Sequence, residues 1–301
     1  MGLKIIKASE PITVSRLNVV IYAQPGIGKT SLAFTSAAPL LLDFDNGAQR
    51  AANRGDSVRI EKWEDVSDLN ADALAEYRTV VVDTAGRALD ALTADIIRRN
   101  PKAGRNGALT LKGYGTLKSE FTAWLKHLNG MGKDVVLIAH MDEQRNGDEI
   151  IERLDVQGGS KGEIYKAADA MGRIAIRDGK RMLNFSPTDA AFGKNPGRLD
   201  PLIIPDANSK EFPGFLAGVI DQIKARLNEM SAAQLEAQKA MADWKAAIDT
   251  LQSADDFNGK LEAIRAQPRP IKHAFSKAAT DKGLTFDKDA NKYVEQEKAA
   301  A

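Results

Sequence analysis

Cysteine is absent from the 301 residues, which excludes disulfides and thiolate metal sites and fits a reducing compartment. Histidine is scarce. His127, His140 and His273 stand far apart with no metal-ligand spacing, so no structural zinc is expected. Net charge is nearly absent as well, with 42 Lys+Arg against 41 Asp+Glu, and the molecule as a whole exerts no pull on nucleic acid or an anionic membrane. Any such affinity needs a local patch. No run approaches the roughly 20 apolar residues that span a bilayer, and the opening MGLKIIKASEP lacks the apolar middle of a signal peptide. These absences predict a soluble protein, without a membrane partner, in the cytoplasm in which it is made. Internal repeats are lacking too.

What is present is enough apolar material, 43% of the residues, to bury a core, at a length suited to one large domain with an appendage or to two domains. Leu17 to Tyr22 reads as a buried strand, followed by a helix from Lys29 to about Ala37 that Pro39 stops. PLLLDFDNG is a second strand ending in Asp43 and Asp45, SVRIEKW a third, and RTVVVDTAG a fourth that is apolar up to Asp83. Leu89, Leu92 and Ile96 recur at helical spacing, as do Leu117, Phe121, Trp124, Leu125 and Leu128, and DVVLIAH gives a further strand ending at His140.

Continuous apolar strands alternating with amphipathic helices predict an α/β fold whose mostly parallel sheet is covered on both faces. Ligands of such sheets lie beyond the carboxyl ends of the strands, where Lys29, Asp45, Asp83 and His140 all fall. Two hairpins are expected late in this part, turning at Asn146-Gly147 and at Asp178-Gly179. The character changes near Pro213, which divides the chain into a core of residues 1–212 and a helical region of residues 213–301. One helix carries Phe215, Val219, Ile220, Ile223 and Leu227. Ser231 with Gln234 forms a capping box for a second, and Ser253 opens a third with Phe257, Leu261 and Ile264. The end, NKYVEQEKAAA, reads as frayed.

The stretch AQPGIGKT, Ala23 to Thr30, matches the phosphate-binding loop except that Ala23 replaces the first glycine. Gly26 and Gly28 let successive N–H groups turn inward toward a phosphate, and the helix that starts near Lys29 adds its N-terminal dipole. Gln24, Pro25, Gly26, Ile27, Gly28, Lys29, Thr30 and Ser31 are therefore the expected nucleotide-binding residues. Lys29 reaches the β- and γ-phosphates, and Thr30 and Asp83 hold magnesium. Thr84 follows Asp83 where many ATPases carry a catalytic glutamate, so a water-positioning carboxylate is expected elsewhere. Asp45 and Asp43 are the nearest candidates. No Asn-Lys-x-Asp guanine signature or LSGGQ-like signature occurs.

In the order of these segments the chain resembles RecA-like ATPases, and it is most similar to the phage-type ATP-binding proteins of single-strand annealing and recombination. YRTVVVDTAG, GYGTLKSEFTAWLKHLNGMGKDVVLIAHMDE and FGKNPGRLDPLIIP carry the likeness over about residues 15–205. The resemblance implies a RecA-like core, ATP with Mg2+ as cofactors, hydrolysis to ADP and phosphate, and a homo-oligomer in the host cytoplasm if the chain is phage-encoded. It places Asp45 as the catalytic carboxylate and His140 as the γ-phosphate sensor. Asp45 departs from it, being one methylene shorter than the glutamate of RecA-like proteins, and that departure implies that hydrolysis is slow. Lys194 and Arg198 correspond to basic residues that act on a neighbour's site.

The resemblance also implies single-stranded DNA as partner, with a single-strand binding protein or other recombination partner possible. RRNPKAGRNGALTLKGYG supplies Arg98, Arg99, Lys102, Arg105 and Lys112 with Tyr114 and no acid, a flexible basic stretch suited to a backbone and stacked bases. DEQRNGDEIIERLD, with six acids against two bases, would repel phosphates. The alternatives are a nucleotide-gated oligomeric interaction module and an AAA-type remodelling ATPase acting on a protein.

Overall fold

The computed structural model describes residues 5–146, 149–156 and 161–295. Its backbone groups into two compact units, Thr13–Asn228 and the residues from Glu229 together with those up to Ile12. The first unit opens with β1 (Asn18–Ala23), α1 (Lys29–Ala33), β2 (Pro39–Asp43), β3 (Ser57–Arg59), α2 (Glu64–Ser67) and β4 (Thr79–Asp83). It continues through α3 (Ala85–Arg99), β5 (Gly104–Arg105), β6 (Ala108–Leu109), α4 (Leu111–Gly130), β7 (Asp134–Asn146) and β8 (Glu149–Leu154). It ends with α5 (Lys161–Ala167), β9 (Ala170–Arg177), β10 (Lys180–Asn184), β11 (Leu202–Ile203) and the first turns of α6 (Phe215–Asp249).

The main sheet runs β11-β10-β9-β1-β7-β4-β2-β3, with β8 paired to β7. From β9 to β3 every pair is parallel, and β10 and β11 add an antiparallel flank. Alternate residues of each strand enter two cores, which is why the strands read as unbroken apolar runs. Val20, Val80, Val82, Val135 and Leu137 face α3 and α4, with Leu92, Phe121 and Trp124 packed on them. Val19, Ile21, Val81, Val136 and Ile138 face the other way, toward Leu32, Phe212, Leu216, Val219 and Ile223. Fully burying each such side chain stabilises the fold by about 1.5–3 kcal/mol before the entropy of ordering is counted.

Several expectations need correction. α1 ends at Ala33, with Phe34 as C-cap, well before Pro39. β7 does not stop at His140: it runs on to Asn146 as one arm of a hairpin with β8, in register from Met141↔Leu154 to Asn146↔Glu149. Gly147 of the expected turn lies outside the described residues. The stretch from Arg98 to Gly115 is folded, as the end of α3, a 3-10 turn, the β5–β6 hairpin and the start of α4. Asn106 and Gly107, both at positive φ, close that hairpin. Asp178 and Gly179 do the same for β9–β10, as expected.

In the second unit Ser231 caps nothing, because α6 is one helix of 35 residues. The Ser231 hydroxyl accepts instead from the Ile12 amide at 3.1 Å. Ser253 does open α7 (Ala254–Gly259), through a reciprocal capping box with Asp256. α8 (Leu261–Arg265), α9 (Arg269–Asp281), β12 (Leu284–Asp287) and β13 (Lys292–Glu295) complete the unit. Residues 292–295 of the end read as frayed thus form a strand, held by Tyr293 in a ring cluster with Phe257 and Phe275. No helix among the described residues is long and apolar enough to cross a membrane.

Candidate functional site

The parallel registers align the strand ends: Ala23 lies beside His140, and Asp83 beside Ile138 and Asp43. Because β7 separates β1 from β4, His140 stands between the glycine loop and Asp83. The loop from Gln24 turns through Gly26 (φ 79) and Gly28 (φ 93) into α1. A Cβ on Gly26 would meet nothing within 4 Å, whereas one on Gly28 would lie 2.7 Å from Nη1 of Arg181. Gly28 is therefore favoured by its left-handed backbone, and a side chain there would also displace the end of Arg181.

Lys29 is buried at the start of α1 and donates to the carbonyls of Ala23 (3.0 Å) and Gln24 (2.8 Å). Its third contact is Nδ1 of His140 at 3.3 Å. An ammonium only donates, so Nδ1 accepts and the ring proton sits on Nε2, 4.0 Å from Asp45 Oδ2. Burial and the Lys29 charge lower the His140 pKa, keeping the ring neutral at pH 7. Burial likewise lowers Lys29, to about 8, against the attraction of Asp83 and Asp45.

Thr30 Oγ1 donates to Asp83 Oδ2 at 2.6 Å. Burial raises the Asp83 pKa to about 6. Thr30 and Lys29 oppose that rise, and the neighbouring Asp43 and Asp45 add to it. The two candidate carboxylates part company here. Asp43 commits both oxygens to the Gly47 and Ala48 amides at 2.9 Å, shaping the loop after β2. Asp45 instead faces the cleft between Arg50 and Arg87, each at 3.7 Å. A cleft of ≈ 200 Å³ is lined by Gly28, Lys29, Thr30, Asp45, Asp83 and His140, with Arg50 at its wall.

The other expected residues divide. Ile27 packs on the core, Ser31 Oγ accepts from the Ala52 amide, and Pro25 is exposed. Gln24 donates to Glu143 of the β7–β8 hairpin at 2.6 Å. Lys194 donates to the carbonyls of Tyr165 and Ala168, both at 2.6 Å, and so holds the end of α5, while Arg198 is exposed. Arg98 pairs with Asp95 and Glu64, and Arg99 with Asp95 and Glu120. α3 has 15 residues, a rise of about 22 Å, so these two arginines are a helix length from Thr84. Lys102, Arg105 and Lys112 are exposed, and Tyr114 is half-buried.

Arg50, Arg87 and Arg181 escaped the sequence reading. None belongs to a spacing pattern; each is brought to the site by the packing of a different element.

Strand order, glycine loop and the Thr30–Asp83 pair together define a RecA-like P-loop fold. The chain belongs to the AAA domain family: the AAA_24 family model, described as AAA domain, matches residues 15–196. A search of curated proteins by sequence gives no match. Among solved structures it is similar to a KaiC-like protein of the hyperthermophilic archaeon Pyrococcus horikoshii OT3, with 10% identity and TM-score 0.35, over 56% of this chain and 76% of that one. It is also similar to a prototypical ATPase of the type III secretion system of pathogenic bacteria, with 11% identity and TM-score 0.37, over 53% of this chain and 51% of that one.

Proposed function

We propose that the chain binds ATP with magnesium in the loop from Gln24 to Ser31 and hydrolyses it to ADP and phosphate. The observation that carries this reading is the convergence of Lys29, Thr30, Asp45, Asp83 and His140 on one cleft at the strand ends. The residues fit the group. Open space at Gly26 and left-handed glycines let the backbone approach a phosphate, and Lys29 is the buried cation beside it. The Thr30 hydroxyl and Asp83 carboxylate are the hard oxygen ligands that magnesium takes. Bound there, the nucleotide supplies the phosphoryl group that passes to water.

Lys29 exchanges its carbonyl and imidazole partners for phosphate oxygens and neutralises charge as the terminal phosphate departs. Asp45 orients the attacking water and takes its proton, with Arg50 and Arg87 fixing the carboxylate. Neutral His140, between Lys29 and Asp45, is placed to report whether the terminal phosphate is present.

The finer reading is turnover coupled to single-stranded DNA in a homo-oligomer serving recombination or annealing, with exposed Arg198 offered to a neighbouring subunit. It is supported by the resemblance and by Lys102, Arg105 and Lys112, which are exposed and have no ion pair among the described residues. Single-stranded DNA should then raise ATP turnover several-fold at about 50 mM salt, and the effect should fade by about 200 mM. Replacing the three with alanine should remove the stimulation and leave basal turnover intact. Turnover indifferent to DNA at both salts would transfer the coupling to a protein partner. The hydrogen bond from Gln24 to Glu143 favours that second reading, because it ties the loop to an acidic hairpin ill-suited to phosphates.

A further inference from the structure

Arg181 stands beside the loop without an acid partner among the described residues. Arg50 and Arg87 face Asp45, Lys29 lies near Asp83 and Asp45, and Arg173 pairs with Glu152. Arg181, half-buried on β10, has no ion pair among the described residues. Its guanidinium is nonetheless fixed: Nη2 donates to the Pro205 carbonyl at 2.9 Å, and the group lies 5.9 Å over the Phe212 ring. Nη1 is aimed at Gly28, 2.7 Å from where a Cβ would stand, and has no hydrogen-bond acceptor among the described residues. A guanidinium held in place with a free donor pointing at a glycine loop is set to complete its hydrogen bonding on an anion bound there.

We propose that Arg181 is a nucleotide-contacting residue, donating from Nη1 to a phosphate oxygen that ATP and ADP share. The inference rests on the nucleotide reading above. The choice of a shared phosphate follows from topology. β10 and β9 lie on one side of β1, while β7 and β4, which carry His140 and Asp83, lie on the other. Arg181 thus reaches the loop from the flank away from Asp45 and His140, the groups assigned to the terminal phosphate. Glycine at position 28 leaves the space that the end of Arg181 takes up.

The test is equilibrium binding of ATP and of ADP, each with magnesium, to the full chain and to Arg181→Gln and Arg181→Lys, beside the ligand-free melting temperature of each. The glutamine variant should bind both nucleotides about tenfold more weakly, the size of one lost charge-assisted hydrogen bond. Lysine should restore much of the loss, and the ligand-free melting temperatures should agree within about 2 °C. Unchanged affinity in the glutamine variant would overturn the proposal. So would a loss confined to ATP, or equal losses in both variants that follow a lowered melting temperature. Failure of the unaltered protein to bind either nucleotide would instead overturn the nucleotide reading itself.

Discussion

Lys29→Ala should weaken ATP binding at least 100-fold in a direct titration while leaving the chain folded. Two charge-assisted hydrogen bonds to phosphate, each worth about 1.5–3 kcal/mol, account for a loss of that order. The fold should survive because Lys29 is a burden without ligand. Burial holds its pKa down at about 8, so between about 8 and the ordinary 10.5 the unfolded chain binds more protons than the folded one. The cost of burying the ammonium is fully present below pH 8 and is relieved as pH rises above it. Alanine removes that cost and leaves the Ala23 and Gln24 carbonyls without their donor, two effects of opposite sign. The check is a titration paired with thermal denaturation; tight ATP binding by a folded alanine variant would remove the loop from the account.

The second large effect belongs to Asp83, and its two readouts move in opposite directions. Asp83→Asn should lower magnesium-dependent ATP turnover at least 100-fold, since it neutralises the carboxylate assigned to the metal while keeping an acceptor for Thr30. The same change should stabilise the ligand-free protein at pH 7. The folded-state pKa of about 6 lies above the unfolded value near 3.8, so between those values the native state binds more protons. Stability therefore falls as pH rises through this window, by up to about 3 kcal/mol. Asparagine escapes the fall. Urea unfolding at pH 7.5 should show the variant more stable than the unaltered chain, with the gap closing toward pH 4. A gap independent of pH would mean that Asp83 is not the strained carboxylate, and undiminished turnover would mean that it holds no metal.

Much of this site was legible in the sequence because its chemistry is local. Gly26, Gly28, Lys29 and Thr30 act through spacing along one turn, and Asp83 is marked by the apolar run that ends in it. Choosing between Asp43 and Asp45 needed the backbone amides of Gly47 and Ala48, which only the folded loop brings to Asp43. Arg181 was invisible for the same reason, lying 153 positions from Gly28 in sequence (181 − 28) and meeting it through the strand order. Where the reading of the fold failed, a tertiary contact or a missing core face explains it. Ser231 carries a capping signature, yet its hydroxyl is taken by Ile12 and the helix runs through. The outer part of β7, Met141 to Asn146, pairs with β8 beyond the main sheet, with residues 142–145 exposed, so the apolar run ends at His140 and the continuity of the strand into the expected hairpin has no apolar signal. Arg98 and Arg99 looked like free charges because a basic stretch read from Arg98 onward leaves out Asp95, which lies one helical turn earlier and pairs with both; only Glu64 and Glu120 are remote in sequence.

The central claim is that the cleft hydrolyses ATP. It is tested most directly by phosphate release from ATP by the full chain, with and without magnesium, beside the same assay on Asp45→Asn. The account predicts slow, magnesium-dependent turnover that the asparagine variant loses while still binding ATP. Tight ATP binding with no turnover, or turnover that Asp45→Asn leaves untouched, would contradict it.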